Sequence, residues 1–140
     1  MHSRVLWLRL GYWVGAVLDG ILVIPMAYPP LFLWGIGLSE SDLGSGYEYL
    51  LWQGAPLMLG WTCLLIWADR KPLERRFVML LTVFPVVFGL VAAGIAAVAL
   101  DLVAVDRMIP IWVLQTIITA LFSYGYFGTR KIAQETAGGV

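Results

Sequence analysis

Residues Phe77–Leu100 read FVMLLTVFPVVFGLVAAGIAAVAL, twenty-four positions without one charged side chain. A helix needs about 20 apolar residues to cross the hydrocarbon of a bilayer. Three further apolar runs, Val5–Tyr28, Tyr49–Ala68 and Ile109–Phe127, are of similar length and are separated by short polar links. Small soluble domains leave a large share of their surface exposed and have no core that could hide four such runs. The pattern predicts an all-α integral membrane four-helix bundle, with residues 1–140 forming a single transmembrane domain.

Composition agrees. The chain is 61% hydrophobic and 13% charged, with zero formal net charge, and that charged fraction is about half that of an ordinary soluble domain. No basic block interleaved with aromatics points to nucleic acid. The lone cysteine, Cys63, rules out an internal disulfide or a CxxC pair and reads as a small hydrophobe within a helix. The first run is longer than the 7–15-residue core of a signal peptide and continues through Pro25 into Tyr28-Pro29-Pro30, so it reads as a retained first helix.

The basic residues divide by link. Arg4 and Arg9 precede or open the first helix, Arg70, Lys71, Arg75 and Arg76 lie between the second and third, and Arg130 and Lys131 follow the fourth. The remaining links carry Glu40, Asp42, Glu48, Asp101 and Asp106 with only Arg107. Short cytoplasmic loops collect Lys and Arg. Both termini and the 69–76 link are therefore expected in the cytoplasm, and a bacterial-type plasma (inner) membrane is assumed. Trp7 and Trp67 fall near the inner boundary and Trp52 and Trp112 near the outer one, where amphipathic rings favour the headgroup level. Trp13 and Trp61 lie deeper and are expected between helices. Arg9 can snorkel to the headgroups, and Arg70, Lys71, Arg75 and Arg76 form a cluster suited to anionic lipid headgroups.

Small and polar residues then set the packing. Gly11 and Gly15 form a GxxxG pair that permits close helix approach, and Asp19 follows on the same face. Gly89 and Ala93 belong to a thin outer half of the third helix that also holds Ala92, Gly94, Ala96 and Ala97. Pro56 and Pro85 should bend their helices, and Pro110 suits a helical first turn. Leu31–Leu38 is too short to span and reads as an interfacial segment, with a re-entrant loop as the alternative. Residues 39–46 read as an exposed loop and 134–140 as a disordered tail.

With a rise of about 1.5 Å per residue, Asp19 lies about 4 Å outward of the middle of its helix, Gln115 about 4–5 Å and Gln53 about 8 Å. These three, with Thr119, form the candidate intramembrane polar cluster. An ionised carboxylate there costs at least about 2.5–3.5 kcal/mol, so Asp19 must be protonated, hydrogen-bonded across the bundle or wetted from outside.

No GxSxG, P-loop or HExxH motif is present, and the sole histidine is His2. No catalytic constellation, metal or cofactor is expected. The first functional reading is a non-catalytic subunit or helix-packing module, with the lipid bilayer and a homo-oligomer or larger membrane complex as partners. The alternative is a homo-oligomeric small transporter or channel that uses Asp19. The third is a membrane enzyme or binder of a lipid-soluble substrate.

Overall fold

The computed structural model describes residues 2–39 and 46–129. Residues 40–45 of the expected exposed loop, the basic pair Arg130 and Lys131, and the tail 134–140 lie outside the described residues. Within the described residues every element is helical: α1 (His2–Ala27), α2 (Pro29–Ile36), α3 (Tyr47–Asp69), α4 (Phe77–Leu81), a π-helical segment (Thr82–Val87), α5 (Phe88–Ala99) and α6 (Val105–Gly128). Four stretches, Val5–Ala27, Tyr47–Asp69, Phe77–Ala99 and Val105–Gly128, are long and apolar enough to cross a membrane. The third joins α4, the π segment and α5. By length and composition the chain is a small integral membrane protein.

The helices end where local chemistry ends them. α1 stops at Ala27 and α2 restarts at Pro29, because two consecutive prolines supply no amide to continue the ladder but suit a helical first turn. α2 closes on Gly37 in the left-handed region (φ 76). The Leu38 amide returns to the Leu33 carbonyl at 2.9 Å and the Gly37 amide to that of Trp34 at 3.2 Å, a Schellman closure. α5 ends the same way, with Asp101 (φ 55) in the left-handed position and the Leu102 amide 2.9 Å from the Ala97 carbonyl. Aspartate accepts that conformation better than a β-branched residue does.

Two proline expectations change. α6 begins at Val105, four residues before the expected Ile109, so Pro110 lies inside the helix rather than in its first turn. Asp106 in the first turn complements the positive end of the helix dipole, and Pro110 forfeits only one hydrogen bond near that end. Pro85 sits in the widened π turn Thr82–Val87, which takes up a residue that has no amide and whose ring crowds the preceding turn. α3 runs through Pro56 as one helix.

α3 and α6 pack along α1, while the third span packs chiefly against α6 and meets α1 near its start, at Met79. Leu8, Tyr12 and Ala16 join Leu65 and Ala68 of α3, Val78 and Met79 of α4, Val83 of the π segment and Phe122 of α6 in one buried cluster. α3 runs antiparallel to α1, with Gly20 beside Thr62 and Gly54 beside Met26. α6 is antiparallel as well: Leu8 lies against Gly125, and Gly15 against Phe122. The start of α1, the end of α3, the start of α4 and the end of α6 thus gather at one end. A Cβ on Gly11 would lie 2.6 Å from Met79 Cε, and one on Gly15 would lie 2.7 Å from Phe122 Cζ and 3.0 Å from Leu65 Cδ1. At Gly15 a ring and a leucine methyl fill the space a side chain would need, whereas at Gly11 the obstacle is the terminal methyl of the flexible Met79 side chain.

Gly15→Leu is therefore expected to cost roughly 1–3 kcal/mol or more through overpacking. The measurement is the thermal midpoint of the protein in mild detergent. Gly89→Leu, placed where nothing lies within 4 Å, should not lower that midpoint when both proteins are compared as monomers.

Candidate functional site

The most connected polar group is at the end where the four spans gather. Asp69, the last residue of α3, is held from α1 by Arg9 and Trp13, which stand four residues apart on one helix face. Arg9 Nε donates to Asp69 Oδ1 at 2.9 Å and Nη2 to Oδ2 at 3.0 Å, while Trp13 Nε1 donates to Oδ2 at 3.2 Å. The Asp69 side chain is 10% exposed and that of Arg9 54%, so the carboxylate is enclosed and its cation keeps one edge toward the surroundings. The two-pronged contact sets both distance and orientation.

The link 70–76 is secured by the same elements. Tyr12, fully buried, donates its hydroxyl to the Arg75 carbonyl at 2.9 Å. The Arg75 guanidinium lies 3.4 Å from the centre of the Trp67 ring and donates to the Trp67 carbonyl. It thereby adds a second donor to a last-turn carbonyl of α3 that otherwise has only a long 3.4 Å bond from the Arg70 amide. Lys71 pairs with Glu74 at 3.0 Å. Arg76 turns the other way, with its guanidinium carbon 5.3 Å from the Tyr126 ring of α6. Arg70 is exposed.

A second set of polar atoms lies deeper. Asp19 Oδ2 on α1 and Gln115 Oε1 on α6 are both buried and have no hydrogen-bond partner among the described residues. The antiparallel register of α1 and α6, fixed by Leu8 beside Gly125 and Gly15 beside Phe122, carries Asp19 to the level of Gln115. Thr119 is one turn away on α6, its hydroxyl spent on the Gln115 carbonyl at 2.8 Å. Gln53 stands apart. It is exposed and sits at the level of Met26, next to Gly54, about 10 Å along α1 from Asp19 at 1.5 Å per residue. Near the Asp19 level Trp61 Nε1 donates to Thr82 Oγ1 at 3.2 Å. That bond ties α3 to the first residue of the π turn.

The small residues divide too. Gly11 and Gly15 are buried between helices, whereas Gly89 and Ala93 are exposed and Gly89 has nothing within 4 Å. Gly94 is the small residue of α5 that meets α6, where a Cβ would lie 3.0 Å from Trp112 Nε1. Trp61 is half-buried between helices. Trp13 is half exposed at the end cluster instead, because its indole N–H is drawn to Asp69. Cys63 is exposed on α3.

Sequence reasoning missed the Asp69 cluster by treating Arg9 as a snorkelling cation and Asp69 as part of a solvated turn. The usable signal was an arginine within an apolar run, four residues before a tryptophan, at the end shared with a helix-terminal aspartate. Searches of protein-family models, curated proteins and solved structures return no match to this chain.

Tyr12→Phe leaves the Arg75 carbonyl without its donor. A buried group so orphaned costs about 1–3 kcal/mol. Trypsin should then cut the 70–76 link on the order of tenfold faster than in the wild type, since about 1.4 kcal/mol is a factor of ten in a local opening equilibrium. The check is the cleavage rate of the two proteins in the same detergent.

Proposed function

We propose that the protein is a non-catalytic membrane subunit, a four-helix bundle that self-associates through the open face of α5. Both termini and the 69–76 link would face the cytoplasm of a bacterial-type plasma membrane, as their basic residues favour. The observation that carries this reading is that α5 buries none of its twelve residues within the chain. Gly89, Ala92, Ala93 and Ala96 are all exposed and share one helix face. Phe84 and Phe88, exposed and 5.9 Å apart, border it. In lipid, helices associate through close packing at small residues and not through a hydrophobic driving force. A smooth face with an aromatic border is self-complementary about a two-fold axis, the commonest symmetry of homo-oligomers.

The test uses the single exposed cysteine to advantage. In a Cys63→Ser background, Ala93→Cys should give a disulfide-linked dimer under mild oxidation in native membranes, whereas an Ile109→Cys control on α6 should not. Gly89→Leu should abolish the dimer with the fold intact. Equal cross-linking at both positions, or none at Ala93, would dismiss the α5 interface.

A second reading is favoured by Asp19 and Gln115. Two acceptor oxygens at one level, buried and unpartnered, cannot bond each other. A proton on Asp19 or a small bound cation would supply what these oxygens lack, as in a proton- or ion-coupled transporter that uses Asp19, Gln115 and Thr119. In proteoliposomes this reading expects a proton or sodium flux that Asp19→Asn reduces at least tenfold. Wild-type vesicles that carry neither ion would end it.

A further inference from the structure

The cations at the gathered end differ in what already occupies them. Arg9 is bound by both oxygens of Asp69. Lys71 is matched by Glu74. Arg75 is stacked on Trp67 and spent on a backbone carbonyl. Both carboxylates described at this end, Asp69 and Glu74, are thereby used. Arg76 is half-buried between the third span and α6, and its Nη1 is buried without a hydrogen-bond partner among the described residues. The Tyr126 ring beside it, at 5.3 Å, favours the cation through its π face but offers that N–H no acceptor. A guanidinium donor is costly to leave unmet; no described side chain meets this one, and Arg76, only half-buried, keeps part of its side chain open to an acceptor from the surroundings.

We infer that Arg76, where the start of the third span meets the end of α6, binds a phosphate oxygen of an anionic phospholipid headgroup. The chemistry matches: a planar guanidinium presents paired donors to phosphate. The depth matches too, because Arg76 immediately precedes Phe77, the first residue of an apolar span, where headgroups begin. The acyl chains of such a lipid would lie along exposed apolar residues next to Arg76 and Tyr126, among them Phe77 and Phe127. This site is distinct from general attraction of a basic link to an anionic leaflet, which would weight Arg70 and Arg76 alike.

Native mass spectrometry of the detergent-solubilised full chain, titrated with phosphatidylglycerol and in parallel with phosphatidylcholine, tests it. The wild type should retain one phosphatidylglycerol in preference to phosphatidylcholine. Arg76→Gln should weaken that retention about tenfold, the size of a charge-assisted hydrogen bond, while Arg70→Gln should leave it within about twofold. Arg76→Lys, which keeps the charge and is gentler to the fold, should fall between them. Equal losses for Arg70→Gln and Arg76→Gln, or equal retention of the two lipids, would overturn the assignment. Inorganic phosphate separates the sources of the anion: if millimolar phosphate raises the wild-type thermal midpoint through Arg76 while phosphatidylglycerol does not bind, the lipid is the wrong ligand.

Discussion

An aspartate at the end of a membrane-crossing helix has to be matched, and the Arg9–Asp69 contact matches it with both oxygens. Much else follows from that pairing. It fixes the register of α1 against α3, and with it the meetings of Gly20 with Thr62 and of Met26 with Gly54 further along. One residue before Trp13, Tyr12 reaches the Arg75 carbonyl, so the link leaves α3 in a fixed direction and delivers α4 to α1. Met79 and Phe122 then fill the space that Gly11 and Gly15 leave. Lipid makes these contacts decisive, since burial of apolar surface does not by itself bring one helix to another.

The rest of the molecule is less complete. The interior beside α1 is filled and the end cluster is hydrogen-bonded, yet α5 has no buried residue, and Asp19, Gln115, Arg76 and the indole of Trp112 each keep an unmet buried atom among the described residues. Proteins tend to break the rule of full satisfaction at sites that do something beyond folding. The three features differ in what they could accept: another helix at α5, a proton or cation at Asp19 and Gln115, a phosphate at Arg76. They lie on separate parts of the chain, so each can be perturbed without the others.

The four spans were legible because each is a long apolar run whose charges, Asp19 excepted, lie near its ends. The face shared by Gly11, Gly15 and Asp19 followed from helical periodicity alone. Periodicity says nothing about partners sixty residues apart, so the enclosure of Asp69 by Arg9 and Trp13 was not readable from either segment. Nor does a glycine disclose which way it faces: Gly11 and Gly15 are buried while Gly89, equally plausible by composition, is open. Depth estimates put Gln53 within a few ångströms of Asp19, but Gln53 faces outward at the level of Met26. A shared depth does not imply a shared helix face. The π turn at Pro85 and the early start of α6 at Val105 depend on neighbouring helices and on a first-turn aspartate, which local patterns constrain weakly.

The most direct measurement is a double-mutant cycle on the end pair. Thermal midpoints of the wild type, Arg9→Gln, Asp69→Asn and the double variant would be compared in one detergent. If Asp69 is satisfied chiefly by Arg9 and the pair sets the α1–α3 register, the double variant is no less stable than the worse single one, since the second substitution removes a partner already lost. Additive losses would mean that the two side chains act independently, and would contradict the account.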